Sequence, residues 1–328
     1  MAIQWFPGHM HLTRQAIAER IEDIDVVIEL LDARLPGSSA NPLLAELTRG
    51  KPALKILNKQ DLADPLRTEA WLAHHQALPA TQALALDASE AAPARRLIKA
   101  CRDLAPQRVG LSRPMRVLIC GIPNVGKSTL INTLVGKRAA RTGDEAGITR
   151  SEQRIALDDD FYLWDTPGVL WPRITVEEGG YHLAASGAIG RNAYDEQEVA
   201  LELLRRLLAA YPDLLAQRYR VEVQGLDEEA ALSALSAIAR RRGAIAAGGR
   251  LDLHKAAEAL LHDFRAGSIG RITLETPQEF ALWLEQAQLR EAERQARKLE
   301  PQRRARKLEL ERQRAGSSRP GGTPAPRR

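Results

Sequence analysis

Met115-Arg-Val-Leu-Ile-Cys-Gly-Ile-Pro-Asn-Val-Gly-Lys-Ser-Thr129 decides the fold of this chain. Its apolar run, Met115 to Cys120, has the length and composition of a buried strand. The run opens into Gly121-Ile-Pro-Asn-Val-Gly-Lys-Ser128, a match to the phosphate-loop pattern G-x-x-x-x-G-K-[ST]. Residues Lys127 to Val135 then read as a helix. Consecutive backbone N–H groups wrap phosphate oxygens only where side chains stay out of the way. Gly121 and Gly126 supply that room, and the helix N-terminus adds partial positive charge. In such a loop Lys127 reaches the β- and γ-phosphates and the Ser128 hydroxyl ligates Mg²⁺, with Asn124, Val125, Gly126 and Thr129 completing the wrap.

Downstream, Phe161 to Trp164 reads as a strand ending in Asp165-Thr-Pro-Gly168. Standing 37 residues after Ser128, Asp165 is placed to hold Mg²⁺ through water, and the Gly168 N–H to face a γ-phosphate. Thr149, in the loop between them, is the natural second hydroxyl for Mg²⁺; a plain loop threonine is the alternative. Upstream, the strand Ala53 to Leu57 leads into Asn58-Lys59-Gln60-Asp61. Asp61 can accept two hydrogen bonds, from guanine N1–H and its 2-amino group. Adenine offers neither donor there and would leave the carboxylate unpaired. The Lys59 stem lies against the base and Asn58 braces the surrounding loops. A third strand, Thr81 to Leu86, leads into Asp87-Ala88-Ser89, where the Ala88 N–H is expected to complete the base pocket beside Asp87.

The order is therefore base motif, phosphate loop, then Mg²⁺ and switch elements, whereas most GTPases begin with the phosphate loop. Together with the strand Val26 to Leu31, ending in Asp32-Ala-Arg34, the pattern is strand–helix alternation with chemistry at strand C-termini. It implies a doubly wound, mostly parallel α/β sheet. Further helices are expected over Leu12–Ile24, Pro65–Gln76 and Ala92–Leu104, and after Arg173 only helical periods, at Val199–Leu208, Glu228–Ala239 and Leu253–Asp263, appear. The expected division is 1–175 as a nucleotide-binding domain, 176–285 as a small all-α domain, and 286–328 as a basic tail. Its first part reads as a solvated helix and its last part as disordered.

Charge is unevenly spread. The net is +5, but from Gln286 onward 13 Lys and Arg face 5 Asp and Glu, a local +8 that leaves −3 for the first 285 residues. The basic character belongs to an appended arm suited to a polyanion. With 328 residues the chain can hold two cores. It has no run of about 18 apolar residues to span a bilayer and no signal-peptide start. A cytoplasmic protein without membrane or DNA partners is expected. Cys101 and Cys120 make neither a disulfide framework nor a zinc spacing and read as buried thiols. His74 and His75 read as lying on a surface helix. Arg240, Arg241, Arg242 and Arg271 are candidate phosphate contacts, with solvated basic residues as the alternative.

Gln4-Trp-Phe-Pro-Gly-His-Met10, the Asp32-Ala-Arg34 strand end and Gly121-Ile-Pro-Asn-Val-Gly-Lys-Ser-Thr129, in the rotated motif order, resemble the RbgA/YlqF family of circularly permuted ribosome-assembly GTPases. The similarity covers about residues 1–280, the basic arm standing outside it. It implies a circularly permuted P-loop GTPase domain, a helical domain, Mg²⁺ and GTP, and action late in assembly of the large ribosomal subunit and its rRNA; a monomer is expected. Asp87, where Ser is usual in the family, departs from the pattern. Val169 follows Gly168 where many GTPases carry a water-positioning Gln, so hydrolysis is expected to need stimulation by the ribosome. The resemblance offers Asn124 as a ligand for K⁺, placing positive charge where an arginine finger sits, and His9 as the catalytic group. A turn histidine or an RNA contact remains the alternative for His9. Two other readings remain: an RNA-binding scaffold whose nucleotide gives only stability, and a P-loop kinase or ATPase, which the base motif opposes.

Overall fold

The structure is a computed structural model describing residues 3, 9–108, 110–136, 153–221 and 225–316; for 9 and 301–316 it describes the backbone course alone. Thr149 and the side chain of His9 lie outside the described residues, as do Trp5 and Phe6. In chain order the elements are α1 (His9–Arg20), β1 (Val26–Asp32), α2 (Pro36–Ser39), α3 (Pro42–Leu47), β2 (Ala53–Asn58), α4 (Pro65–Gln76), β3 (Thr81–Leu86), α5 (Ala91–Leu104), β4 (Met115–Gly121) and α6 (Lys127–Val135). They continue with β5 (Gln153–Asp158), β6 (Phe161–Asp165), α7 (Glu177–Ser186), α8 (Glu196–Ala210), α9 (Pro212–Tyr219), α10 (Glu228–Arg242), α11 (Leu253–Arg265) and α12 (Pro277–Gly316).

The strands form one six-stranded sheet in the order β3-β2-β1-β4-β6-β5. All neighbours are parallel except β5, which runs antiparallel to β6. Every residue of β1 is buried, the continuous apolar run that a parallel strand covered on both faces requires. The chain moves outward from β1 to β2 and β3, then returns to lay β4 on the other side of β1. That reversal makes β1 and β4 the topological switch point, where the crevice at the strand C-termini receives ligands in open α/β sheets. The rotated motif order costs the sheet nothing, because joining neighbouring ends and cutting elsewhere leaves the packing intact.

The strands β1 to β4, β6 and the helix α6 lie where the apolar runs put them. The sequence pattern missed β5 because it is a sheet-edge strand, in which only Ile155 is buried among exposed charges. It also missed α7, whose Gly179-Gly180 lowers helix propensity. A Cβ on Gly179 would sit 3.2 Å from Ser38 Oγ, so the helix trades propensity for close approach to α2.

Met1–Ala281 forms one compact unit, and Leu282–Arg328 a second. Within the first, one apolar core runs from Ile28 and Ile119 of the sheet to Leu183, Leu204 and Phe264 of the helices, so sheet and helical segment share their interior. The arm carries a helix, α12, that extends as far as Gly316, with most residues from 288 to 300 exposed; residues 317–328 lie outside the described residues. Cys101 and Cys120 are buried free thiols, and burial pushes both thiol pKa values up. His75, expected on the surface, is buried against Trp71, with ring centroids 5.5 Å apart. Among the described residues no helix is long and apolar enough to cross a membrane.

Candidate functional site

The C-terminal ends of β1, β2, β3, β4 and β6 lie on one side of the sheet and carry those sequence-predicted groups that the structure describes. Asn58, the last residue of β2, is 2% exposed and joins two loops. Its Nδ2 donates to the Val125 carbonyl at 2.7 Å, and its Oδ1 accepts from Ala88 N at 2.8 Å. The brace expected of Asn58 is thus seen in atomic terms. The Ala88 amide, expected to face the base, is held by Asn58 instead. Gly126 has φ 103°, and a Cβ there would overlap Asn58 Nδ2, so the loop closes on the brace only with glycine. Asp87 also has its explanation. Its Oδ1 accepts from Ser89 N and Ser89 Oγ, both at 2.8 Å, an Asx turn that shapes the loop beside Ala88. Gln60 begins a short 3-10 turn, and Asp61, its next residue, is exposed to solvent.

Lys59 adopts a left-handed conformation with φ 62°. Its Nζ donates to the Asn124 carbonyl and to Asp32 Oδ2, each at 2.9 Å. Asp32 is the carboxylate to which sequence reading assigned no role beyond the resemblance. Burial works against its charge, yet the paired Arg34 and Lys59 outweigh burial and hold its pKa well below the usual carboxylate range. Arg271 donates to the Gln60 carbonyl at 2.9 Å and the Ala63 carbonyl at 2.8 Å. It pins the loop that follows the base motif while staying exposed. Arg242 is likewise committed, to the buried Asp263, together with Arg218 and Tyr219. Arg240 and Arg241 remain exposed.

On the phosphate side, Lys127 Nζ turns back to the carbonyls of Gly121 (3.2 Å) and Ile122 (3.1 Å). Burial pulls its ammonium pKa down, with Asp165 opposing. Ser128 and Thr129 follow in the first turn of α6. Asn124 stands at φ 56°, and its Nδ2 donates to the Gly187 carbonyl at 2.8 Å, just past the end of α7. Asp165 ends β6 with its Oδ1 buried and without a hydrogen-bond partner among the described residues. Burial raises its pKa to about 6, against the pull of Lys127 and the Thr166 N–H. A buried, unsatisfied carboxylate oxygen beside a phosphate loop fits a hard cation that takes oxygen ligands.

The segment after Asp165 is held by its neighbours. Thr166 Oγ1 donates to the Ile119 carbonyl at 2.9 Å, and Val169 N to the Gly121 carbonyl at 3.2 Å. The Val169 carbonyl accepts from Asn41 Nδ2 at 2.8 Å, and the Asn41 N–H is itself held by Glu29 Oε1 at 3.1 Å. Val169 is 1% exposed, a packed apolar residue where a water-orienting side chain is often found. Asn41 carried no motif that could have announced this contact.

The family described as 50S ribosome-binding GTPase matches residues 116–221. A ribosome biogenesis GTPase A of Priestia megaterium is 41% identical over 287 residues, covering 85% of this chain and 98% of that protein. A mitochondrial ribosome-associated GTPase 1 of Xenopus tropicalis is 31% identical over 299 residues, covering 83% and 94%. Among solved structures, GDP-bound TM YlqF superposes with a TM-score of 0.56 at 25% identity, covering 80% of this chain and 99% of that one. GNP-bound YlqF from T. maritima gives the same TM-score at 24% identity, and so speaks for the fold alone.

Proposed function

The chain belongs to the ribosome biogenesis GTPase A family, and from that premise we propose that it is a GTP hydrolase that engages the maturing large ribosomal subunit in its GTP state. There it promotes a late step of assembly, and the particle in turn stimulates hydrolysis. The observation that carries the nucleotide reading is Asn58, whose two hydrogen bonds join the base-motif strand to the phosphate loop and the Ala88 loop. Guanine would be chosen by Asp61, with the Lys59 stem against its face. Lys127 and the loop amides of Asn124 to Thr129 would take the phosphates, and the Gly168 N–H would meet the γ-phosphate.

Ser128, Thr149 and Asp165 are the residues that would hold Mg²⁺. When bound, the ion offsets charge on the transferring phosphoryl group. Lys127 leaves the carbonyls of Gly121 and Ile122 to reach the phosphates. Val169 has no polar group with which to orient water, which supports dependence on the particle and on further groups. His9, at the start of α1, is the proposed catalytic group. Asn124 Oδ1 is the atom that would meet K⁺ while its Nδ2 keeps Gly187. The exposed Arg240 and Arg241, together with the basic arm, are the proposed rRNA surfaces of a cytoplasmic monomer. The division at residue 175 is kept as a functional one: GTP-dependent ordering around Asp165 to Gly168 would reposition the helical segment that begins with α7. Equal placement of that segment in GTP-analogue and GDP states, by spin-label distances, would sink this switch.

The deciding experiment traps the protein with a non-hydrolysable GTP analogue and asks which ribosomal particle it co-sediments with. GTP turnover is then measured with and without large subunits, in K⁺ and in Na⁺. Co-sedimentation with large-subunit precursors and particle-stimulated turnover are expected. His9→Ala is expected to abolish the stimulation while GTP affinity stays intact; retained stimulation would remove His9 from the mechanism. The buried Val169 favours one second reading, a scaffold whose nucleotide only stabilises it, and turnover indifferent to the particle would select it.

A further inference from the structure

Arg34 is 1% exposed, although nucleotide chemistry asks for no guanidinium at that place. Its Nε and Nη2 grip the two oxygens of Asp32 at 2.9 and 2.8 Å. Its Nη1 reaches the carbonyls of Phe264 and Arg265, at 3.3 and 3.4 Å, and its guanidinium lies 5.0 Å from the centroid of the Phe264 ring. Those carbonyls end α11. Arg265 in turn donates to the carbonyls of Ala185 (2.8 Å) and Ala184 (3.0 Å) at the end of α7. Beyond them, the Gly187 carbonyl accepts from Asn124 Nδ2, the Asn124 carbonyl accepts from Lys59, and Lys59 also donates to Asp32. The contacts close on themselves: Lys59, Asp32, Arg34, the end of α11, the end of α7, Asn124, and Lys59 again.

We propose that Arg34 is a positioning residue that couples guanine-nucleotide binding to the seating of the α7 and α11 ends, acting through Asp32 and Lys59. The bidentate grip fixes the plane of the Asp32 carboxylate and leaves Oδ2 aimed at Lys59. Lys59 serves both the base pocket and the phosphate loop, so a nucleotide that orders Lys59 and Asn124 orders two points of the circuit at once. The other two points are helix ends in the segment after β6. Coupling of binding free energies is reciprocal, so a partner that shifts those helix ends changes nucleotide affinity by the factor with which nucleotide changes affinity for that partner. A hydrophobic residue at position 34 would leave Asp32 short of one cation and the α11 carbonyls short of a donor. The inference rests on the guanine-nucleotide site and not on the ribosomal partner, so the two readings fail separately.

The test uses the full chain, fluorescent GDP, and amide hydrogen exchange with and without GDP. In the wild type, GDP is expected to slow exchange at 184–187 and 262–266 as well as in the phosphate loop. Arg34→Met is expected to weaken GDP binding about tenfold and to abolish the slowing at 262–266, while the phosphate loop still responds. Arg34→Lys should recover part of the affinity without the slowing, because one ammonium cannot serve the carboxylate and both carbonyls. Should Arg34→Met not fold, Arg265→Met opens the circuit at its far side, and loss of the GDP response at 184–187 is expected. A GDP response at 262–266 that survives Arg34→Met, or at 184–187 that survives Arg265→Met, overturns the proposal. So does a wild type that shows no GDP response at either helix end.

Discussion

Gly168 packs on Pro123 so closely that a Cβ at position 168 would lie 2.8 Å from both Cα and N of Pro123. The end of the Asp165–Gly168 motif and the phosphate loop thus touch backbone to backbone. Gly168→Ala must push the two apart, and overpacking of this kind costs about 1–3 kcal/mol. The expected outcome is weaker binding of a GTP analogue than of GDP, by about tenfold or more, with turnover falling in parallel. Equal losses for the two nucleotides would place the strain elsewhere.

Asn58→Ala removes two buried hydrogen bonds and leaves the Val125 carbonyl and the Ala88 N–H unpaired. Stranding such groups costs about 2 kcal/mol of folding stability. Urea unfolding should show that loss, and the Asp87–Ser89 loop should become more sensitive to proteolysis.

Val169→Gln tests whether the missing glutamine could simply be restored. The side chain at 169 is buried, and its backbone is tied to Gly121 and Asn41. A glutamine there would bury an amide without an arranged partner, costing about 1–3 kcal/mol. A lower melting temperature with no gain in intrinsic GTP turnover is expected; faster turnover would show that the segment opens to water.

Asp165 supplies a pH dependence whose sign follows from its raised pKa of about 6. Its acid form is favoured in the folded apoprotein, so its contribution to stability is full below its ordinary value of 3.8 and is lost as pH rises through about 6. A cation needs the carboxylate. Mg²⁺-dependent tightening of GDP binding should therefore fade as pH drops from 7.5 to 5. Asp165→Asn should raise the apoprotein's melting temperature at pH 7.5 and abolish the response to Mg²⁺.

His75 has the opposite sense. Both ring nitrogens are buried without a hydrogen-bond partner among the described residues, and burial lowers its pKa to about 3. Below pH 6.5 the unfolded chain takes up a proton that the folded chain refuses, so stability drains away as pH falls from 6.5 toward 3. His75→Phe, which keeps an aromatic ring against Trp71, should gain about 2 kcal/mol at pH 5 relative to its effect at pH 8. Urea unfolding at the two pH values measures it.

What the sequence determined by itself was local. A phosphate loop is a continuous run of backbone amides between a strand and a helix, so Gly121 to Ser128 announces both its place and its chemistry. The base motif and Asp165 could be recognised for the same reason, each following directly from a buried parallel strand whose apolar run marks its end. Tertiary structure decided what depends on partners distant in the chain. Edge strand β5 and Gly-containing α7 gain their form from neighbours and have little periodicity of their own. Arg271 and Arg242 are exposed, as surface charge is, but only the fold brings the Gln60 carbonyl and Asp263 beside them. The pairing of Arg34 with both Asp32 and the end of α11 joins residues about 230 positions apart. No window of sequence contains such a contact, because hydrogen bonds made by a buried side chain depend on where the whole core places their acceptors.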